Sequence, residues 1–127
     1  NIQKILYYTA NLSTISKDDL QPFGSQLKTF WFGHNNFEAI ESDLFEFTPN
    51  LEFIELQGNQ IKYVGIGALS NLKNLTTLNF RGNPCHSGNA YHTSMVITLA
   101  SDIEKSCTDL EALERQRKLT TTTEDLD

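Results

Sequence analysis

The sequence predicts an α/β fold in which the chain winds into stacked coils whose short strands form one parallel sheet. Three observations support this prediction. One pattern of apolar residues ending in asparagine recurs about every 24 residues. Within each copy, apolar residues alternate with other residues as they do in a strand. After the last copy, apolar residues recur at helical spacing over residues 90–105.

The repeat is clearest in the copy that begins at Leu51, which reads L-x-x-I-x-L-x-x-N-x-I-x-x-V. The four copies begin near Ile2, Leu27, Leu51 and Leu75. The last copy is cut short by Pro84, because proline cannot donate a hydrogen bond to a strand ladder. The first copy has Ala10 in place of asparagine and is the weakest match. Because each repeat forms one turn of the coil, we expect a parallel sheet of about four strands.

This pattern resembles the leucine-rich repeats of extracellular proteins from insects and other animals. The resemblance covers residues 1–107 and implies a right-handed solenoid, a segment of a horseshoe with the parallel sheet on its concave face. Asn35, Asn59 and Asn83 occupy the asparagine position, where a ladder of buried amides bonded to the main chain is expected. A buried amide without partners costs about 1–3 kcal/mol, so we expect a structural role for these side chains.

The segment 84–107 is predicted to cap the C-terminal end, because a stack of repeats leaves its last apolar face open. The apolar residues of the 90–105 helix are Tyr91, Met95, Val96, Leu99, Ala100 and Ile103. Cys85 and Cys107 are the only cysteines, and we expect a disulfide between them. The cap resembles a shorter version of the four-cysteine cap of extracellular relatives. The alternative is a zinc site formed with His86 and His92, although their spacing matches no familiar zinc module.

The two ends of the sequence differ from the repeats. Residues 108–127 are predicted to form a helical extension and then a disordered tail, because the tail is rich in threonine and acidic residues and has nothing to bury. At the other end, Ile2, Ile5 and Tyr7 are expected to point into the first coil with almost nothing before them. Either a cap precedes this end in a longer parent protein, or the open strand edge joins a partner.

Charge and cysteine usage restrict the partners and the compartment. The formal net charge is −6 and no basic stripe is present, so neither a nucleic acid nor an anionic membrane is expected as a partner. The apolar runs are far shorter than the roughly 20 residues of a membrane span, and no signal peptide is recognisable. The cysteine pair and the glycosylation sequons at Asn11 and Asn74 favour an extracellular protein. A reduced cytosolic repeat protein is the alternative.

The outward-facing residues of the predicted strands form the candidate binding face. The aromatic candidates are Tyr8, Trp31 and Phe53, and the polar candidates for specificity are Glu55, Gln57, Asn79 and Arg81. Large apolar side chains at solvent-facing strand positions indicate a contact surface, and tyrosine, tryptophan and arginine are frequent binding hot spots. The alternative is that these rings cover one another or are shielded by a preceding part of the protein.

No residue pattern predicts catalysis, a cofactor or a metal. Paired carboxylates such as Asp18 and Asp19 fall on predicted outer turns, and no glycine-rich phosphate loop occurs in the sequence. We therefore expect a non-catalytic module that binds a protein or another macromolecular ligand. The resemblance extends to secreted recognition proteins of the immune type and to receptor ectodomains. The alternative is an assembly module that oligomerises through its C-terminal helices or its open N-terminal strand edge.

Overall fold

Short strands joined by turns make up most of the computed structural model, which describes the backbone of residues 2–125 and the side chains as far as Leu119. The strands are β1 (Lys4–Leu6), β2 (Thr29–Trp31), β3 (Ala39–Ile40), β4 (Phe53–Glu55), β5 (Tyr63–Val64), β6 (Thr77–Asn79) and β7 (Asn89–Ala90). The helices are α1 (Lys17–Leu20), α2 (Thr93–Ser106) and α3 (Leu110–Asp125), with a 3₁₀ turn at Gly24–Gln26. Residues 126–127 of the predicted tail lie outside the described residues.

Four strands, one from each repeat, lie side by side in parallel. The main sheet has the order β1-β2-β4-β6-β7, and β7 runs antiparallel to β6. Equivalent repeat positions are in register, so that Ile5 pairs with Phe30, Phe30 with Ile54, and Ile54 with Leu78. The parallel pairing predicted from the repeat period is confirmed, whereas β7 was not predicted.

The repeats that begin at Leu27, Leu51 and Leu75 bury their apolar strand positions in one continuous hydrophobic interior, to which the first repeat contributes Ile5. The largest fully buried side chains are Leu20, Leu27, Phe30, Phe37, Ile40, Leu44, Leu51, Ile54, Leu56, Ile61, Leu69 and Phe80. A second parallel sheet, formed by β3 and β5, follows the asparagine turns of the two middle repeats. Burying one large aliphatic side chain contributes about 1.5–3 kcal/mol, so this interior is the main source of stability.

The first repeat is only partly buried. Ile5 packs into the interior, but Ile2 is 55% and Tyr7 is 52% exposed. Ile2 and Tyr7 are therefore not buried, although the Tyr7 ring does face the coil, with its centroid 5.3 Å from that of the buried Phe32. The physical reason is that a repeat is buried by the neighbours on both its sides, and among the described residues nothing packs on the outer side of β1.

The last repeat, by contrast, is covered by α2. Val96, Leu99, Ala100 and Ile103 are buried against it, while Tyr91 and Met95 of the predicted apolar face are exposed. The disulfide between Cys85 and Cys107 joins the start of the cap to its end. The Glu104 carboxylate also accepts hydrogen bonds from the main-chain N–H groups of Gly67, Leu69 and Ser70 at 2.9–3.0 Å. A helix, α2, thus lies within the segment 84–107, and it begins at Thr93 because Asn89–Ala90 before it form β7.

Helix α3 packs back across the two-stranded sheet rather than leading into a tail. The buried Gln116 side chain accepts hydrogen bonds from the N–H groups of Glu38 and Ala39 and donates one to the Ala39 carbonyl, all at 2.8 Å. Arg115 forms an ion pair with Glu38, in which the guanidinium donates hydrogen bonds to the carboxylate. These hydrogen bonds raise the pKa of Arg115. The backbone is helical to Asp125, where we expected disorder from residue 120. A helix fixed by packing over its first turns propagates at little further cost, which explains the difference.

Candidate functional site

The asparagine ladder runs along the turns that follow the parallel strands. Asn59 donates to the carbonyls of Phe32 and Leu56 at 3.1 Å and accepts a hydrogen bond from the N–H of Phe37 at 3.2 Å. Asn83 repeats these contacts one coil later, and Asn35 extends them to the first coil. All three side chains are buried. Their amides are hydrogen-bonded to main-chain groups. The ladder therefore stabilises the turns and leaves few hydrogen-bonding groups for a ligand.

The other face of the parallel strands is open. We call it the open sheet face; its members are Lys4, Leu6, Tyr8, Thr29, Trp31, Gly33, Phe53, Glu55, Gln57, Thr77, Asn79 and Arg81. Strand register places Leu6, Trp31, Glu55 and Asn79 side by side, one on each strand. The seven predicted binding residues therefore lie on one side of the sheet, although Glu55 is buried there. Adjacent strands lie about 4.8 Å apart, so residues in one row are within reach of a single ligand.

Three aromatic rings occupy the β1, β2 and β4 side of this face. The Trp31 and Phe53 rings, which we call the aromatic pair, stack with centroids 5.4 Å apart and an interplanar angle of 22°. Both are half-buried, whereas Tyr8 is 57% exposed. The ring of Tyr8 meets His34 edge-on at a centroid distance of 5.1 Å. The rings thus cover one another in part, and still present aromatic surface to the outside.

Glycine at position 33 allows Tyr8 to lie close to the sheet. A Cβ atom at Gly33 would come within 3.3 Å of the Tyr8 ring and 3.5 Å of the Glu55 Cγ atom. Because both groups converge on the space above this glycine, Tyr8 and Glu55 are neighbours although β2 lies between their strands. A larger residue at position 33 would push them apart.

Glu55 is buried, and our expectation that it faces solvent is wrong. Its side chain is 7% exposed. One carboxylate oxygen accepts the N–H of Gln57 at 2.8 Å, and the other accepts the Asn79 amide at 2.9 Å. Asn79 also donates to the Gln57 side-chain oxygen at 2.9 Å. This network draws the carboxylate down between its neighbours, and it makes a rigid polar floor beside the aromatic pair.

The predicted cation of the face lies at its edge. Arg81 is exposed, and its main-chain N–H donates a hydrogen bond to the side-chain oxygen of Asn79 at 3.2 Å. Within the part of the chain that the structure describes, neither Arg81 nor Lys4 forms an ion pair with Glu55. Arg81 is therefore free to reach a ligand from the β6 side.

Sequence reasoning missed His34, which belongs to the same neighbourhood. Its φ of 55° lies in the left-handed region, as do those of Gly58 at 73° and Gly82 at 72°. These residues are 24 apart, so His34 occupies a position that the next two repeats give to glycine, while the first repeat has Thr9 there with a φ of 54°. A side chain at Gly58 would collide with the His34 ring. The signal in the sequence was a non-glycine residue at this repeat position, where it is strained.

The other predicted sites lie elsewhere. The sequon residues Asn11 and Asn74 are both exposed. Cys85 and Cys107 are joined in the disulfide, so neither thiolate is free for the alternative zinc site. No group of three or more histidine, cysteine or acidic residues is arranged to hold a metal ion in the described part of the chain. Among the described helices, none is both long and apolar enough to span a membrane.

Comparison with known proteins agrees with the repeat geometry. The family model of the leucine rich repeat matches residues 25–84, which contain β2 to β6 and the asparagine ladder. No curated protein matches the chain. Leucine-rich-repeat domains generally mediate protein–protein interaction and are typically non-catalytic. The family match and the in-register strands agree over residues 25–84, so this segment of the chain is similar to leucine-rich repeats.

Proposed function

We propose that this chain is a non-catalytic binding module that recognises a protein partner through the open sheet face. In this proposal the repeats form a short right-handed solenoid, and the open sheet face is its concave side. The observation that carries the proposal is the aromatic pair beside the polar floor of Glu55, Gln57 and Asn79. Aromatic anchors surrounded by hydrogen-bonding groups are typical of binding hot spots.

Tryptophan is a costly residue for a purely structural role at position 31. Its Nε1 atom is buried and finds no acceptor among the described residues. An unpaired buried donor costs about 1–3 kcal/mol. Phenylalanine would stack on Phe53 without this cost. The presence of Trp31 therefore favours a ring that is used in contact with a partner.

The compartment we propose is extracellular, in a secreted recognition protein of the immune type or a receptor ectodomain. The disulfide supports this proposal, because such bonds persist in oxidising compartments. The exposure of the sequon residues Asn11 and Asn74 also supports it, because a glycan needs an accessible asparagine. Enzymatic cleavage of N-linked glycans from the natural protein, followed by mass spectrometry, tests this assignment.

Site-specific photo-crosslinking tests the binding function. A benzophenone amino acid is placed at Gln57 on the open sheet face and, as a control, at the exposed Asn71 on an outer turn. We expect a protein from the natural source to crosslink from position 57 only. The captured protein is then purified, and its Kd for the unmodified chain is measured by calorimetry.

Matched variants complete this test. Trp31→Ala is expected to weaken binding of the purified partner by about 30-fold, the effect of a hot spot worth about 2 kcal/mol. Asn71→Ala leaves the Kd unchanged. Circular dichroism of both variants confirms that the chain is folded. Crosslinking from position 71 alone, or an unchanged Kd for folded Trp31→Ala, contradicts recognition through the open sheet face.

A second candidate function is assembly through the N-terminal edge. Ile2, Leu6 and Tyr7 are exposed on or beside β1, and the far edge of this strand is unpaired in the described structure. A cavity of about 340 Å³ opens at this end, lined in part by Ile5 and Phe23. Light scattering across a range of concentrations distinguishes the two functions. A dimer that Tyr7→Lys dissociates supports assembly, and a monomer at all concentrations contradicts it.

A further inference from the structure

We propose that Glu55 is the centre of a cation site, and that the partner inserts a lysine or arginine side chain between this carboxylate and the rings of Trp31 and Tyr8. The inference rests on the proposed function, because it specifies the chemistry of the partner at the same face. The partner segment is basic, and its charged side chain is the anchor.

The buried carboxylate of Glu55 has no partner of opposite charge among the described residues. Glu55 is only 7% exposed to solvent, and its carboxylate accepts two hydrogen bonds from neutral donors. No ion pair to it occurs in the described part of the chain. Carboxylates removed from water are usually paired with a cation. A partner's cation would supply the missing opposite charge.

Two aromatic rings lie near this carboxylate. Trp31 is the register partner of Glu55 on the neighbouring strand. The Tyr8 ring approaches the Glu55 side chain from the β1 side, above Gly33. Cations bind over the faces of tryptophan and tyrosine, and the attraction grows to about 2 kcal/mol where water is excluded. A carboxylate with two such rings nearby matches a guanidinium or ammonium group better than it matches an apolar side chain.

The net charge of the chain also favours a basic partner at longer range. The chain carries a net charge of −6, so a basic segment is attracted to it before contact. The face has two cations of its own: Lys4 lies on β1, and Arg81 follows β6. Both are exposed. They leave the centre of the face, around Glu55, to an incoming cation.

Fluorescence of Trp31 tests this inference directly, because Trp31 is the only tryptophan in the chain. The full chain is titrated with the blocked tripeptide Gly-Arg-Gly and with the same peptide carrying citrulline, which is neutral and nearly isosteric. Chloride is added to keep the ionic strength equal. We expect the arginine peptide to change the emission with a Kd of about 1–10 mM, and the citrulline peptide to bind at least about tenfold more weakly.

Two glutamine substitutions locate the charge that is recognised. Glu55→Gln keeps the acceptor for Gln57 and removes the charge, and we expect at least about tenfold weaker binding of the arginine peptide. Glu52→Gln removes an exposed charge from the same repeat, and we expect an unchanged Kd. The arginine and citrulline comparison on the unmodified chain needs no variant, so it decides the question even if Glu55→Gln fails to fold.

Equal responses to the two peptides, or no response up to about 50 mM peptide, overturn the cation site. Equal losses from Glu55→Gln and Glu52→Gln also overturn it, since the effect would then be a general one of net charge. In those cases Glu55 acts only by holding Gln57 and Asn79 in position. The crosslinking test of the open sheet face is independent of these outcomes, so recognition through that face can stand when the cation site fails.

Discussion

The two ends of the repeat stack are finished in different ways. At the C-terminal end, α2 buries Val96 and Ile103 against the last repeat, and the Cys85–Cys107 disulfide holds it there. At the N-terminal end, β1 has no neighbour on its outer side within the described structure, and the position of the ladder asparagine is taken by Ala10. The same repeat pattern is therefore well buried at one end and half exposed at the other.

This difference shows how a repeat protein obtains its stability. A single repeat cannot bury its own apolar face and depends on the repeats or the cap beside it. The local free energy of unfolding should then fall from β6 towards β1, because each step in that direction lies farther from the C-terminal cap and nearer to the strand edge that is unpaired in the described structure. The aromatic pair lies on β2 and β4, between the firm end and the loose end, where Trp31 and Phe53 are held by strands on both sides.

The largest expected effect comes from truncating equivalent core positions. Ile54 is fully buried, whereas Ile5, two strands away in the same row, is 8% exposed and lies on the edge strand of the described sheet. We expect Ile54→Ala to cost about 2–5 kcal/mol and Ile5→Ala less than half as much. Urea unfolding of both variants measures the difference. Equal losses would show that the first repeat is as firmly packed as the third.

The next effect concerns the C-terminal end. Replacing Cys85 and Cys107 together by serine removes the link between residues 22 positions apart, and we expect a loss of about 3 kcal/mol. The cap should loosen first, so the amides of α2 should lose protection before those of β4. Thermal unfolding of the double variant, with the unmodified chain as the control, measures the loss. A melting temperature that does not change would mean that apolar packing alone holds the cap.

A smaller effect is expected from the asparagine ladder. Asn59→Ala leaves the Phe37 N–H and two carbonyls without their partner, and we expect a cost of about 1–3 kcal/mol. Asn35→Ala should cost less. The N–H groups of Ala10 and Leu12, which donate to the Asn35 side-chain oxygen, are only partly buried, so water can replace that oxygen as their acceptor. Chemical denaturation of the pair checks the order. A greater loss for Asn35→Ala contradicts the idea of a loose first repeat.

Repeat spacing predicted the fold better than it predicted the candidate site. A period of about 24 residues fixes which positions meet across strands, so the pairing of Phe30 with Ile54 follows from the sequence. The burial of Glu55 does not, because it depends on hydrogen bonds from Gln57 and Asn79 that no periodic pattern encodes. The packing of α3 was missed for a similar reason, since Gln116 binds main-chain groups of β3 that are 77 residues away.

In the described structure, the repeats are capped at the C-terminal end and uncapped at the N-terminal end, and the open sheet face lies between these ends. Native-state hydrogen exchange of the strand amides tests it most directly. The account predicts the slowest exchange at Leu78 and Ile54, faster exchange at Phe30 and the fastest at Ile5, at a concentration where the chain is a monomer. Exchange at Ile5 as slow as at Ile54 would contradict the account, because the first repeat would then be as firmly held as the middle of the stack.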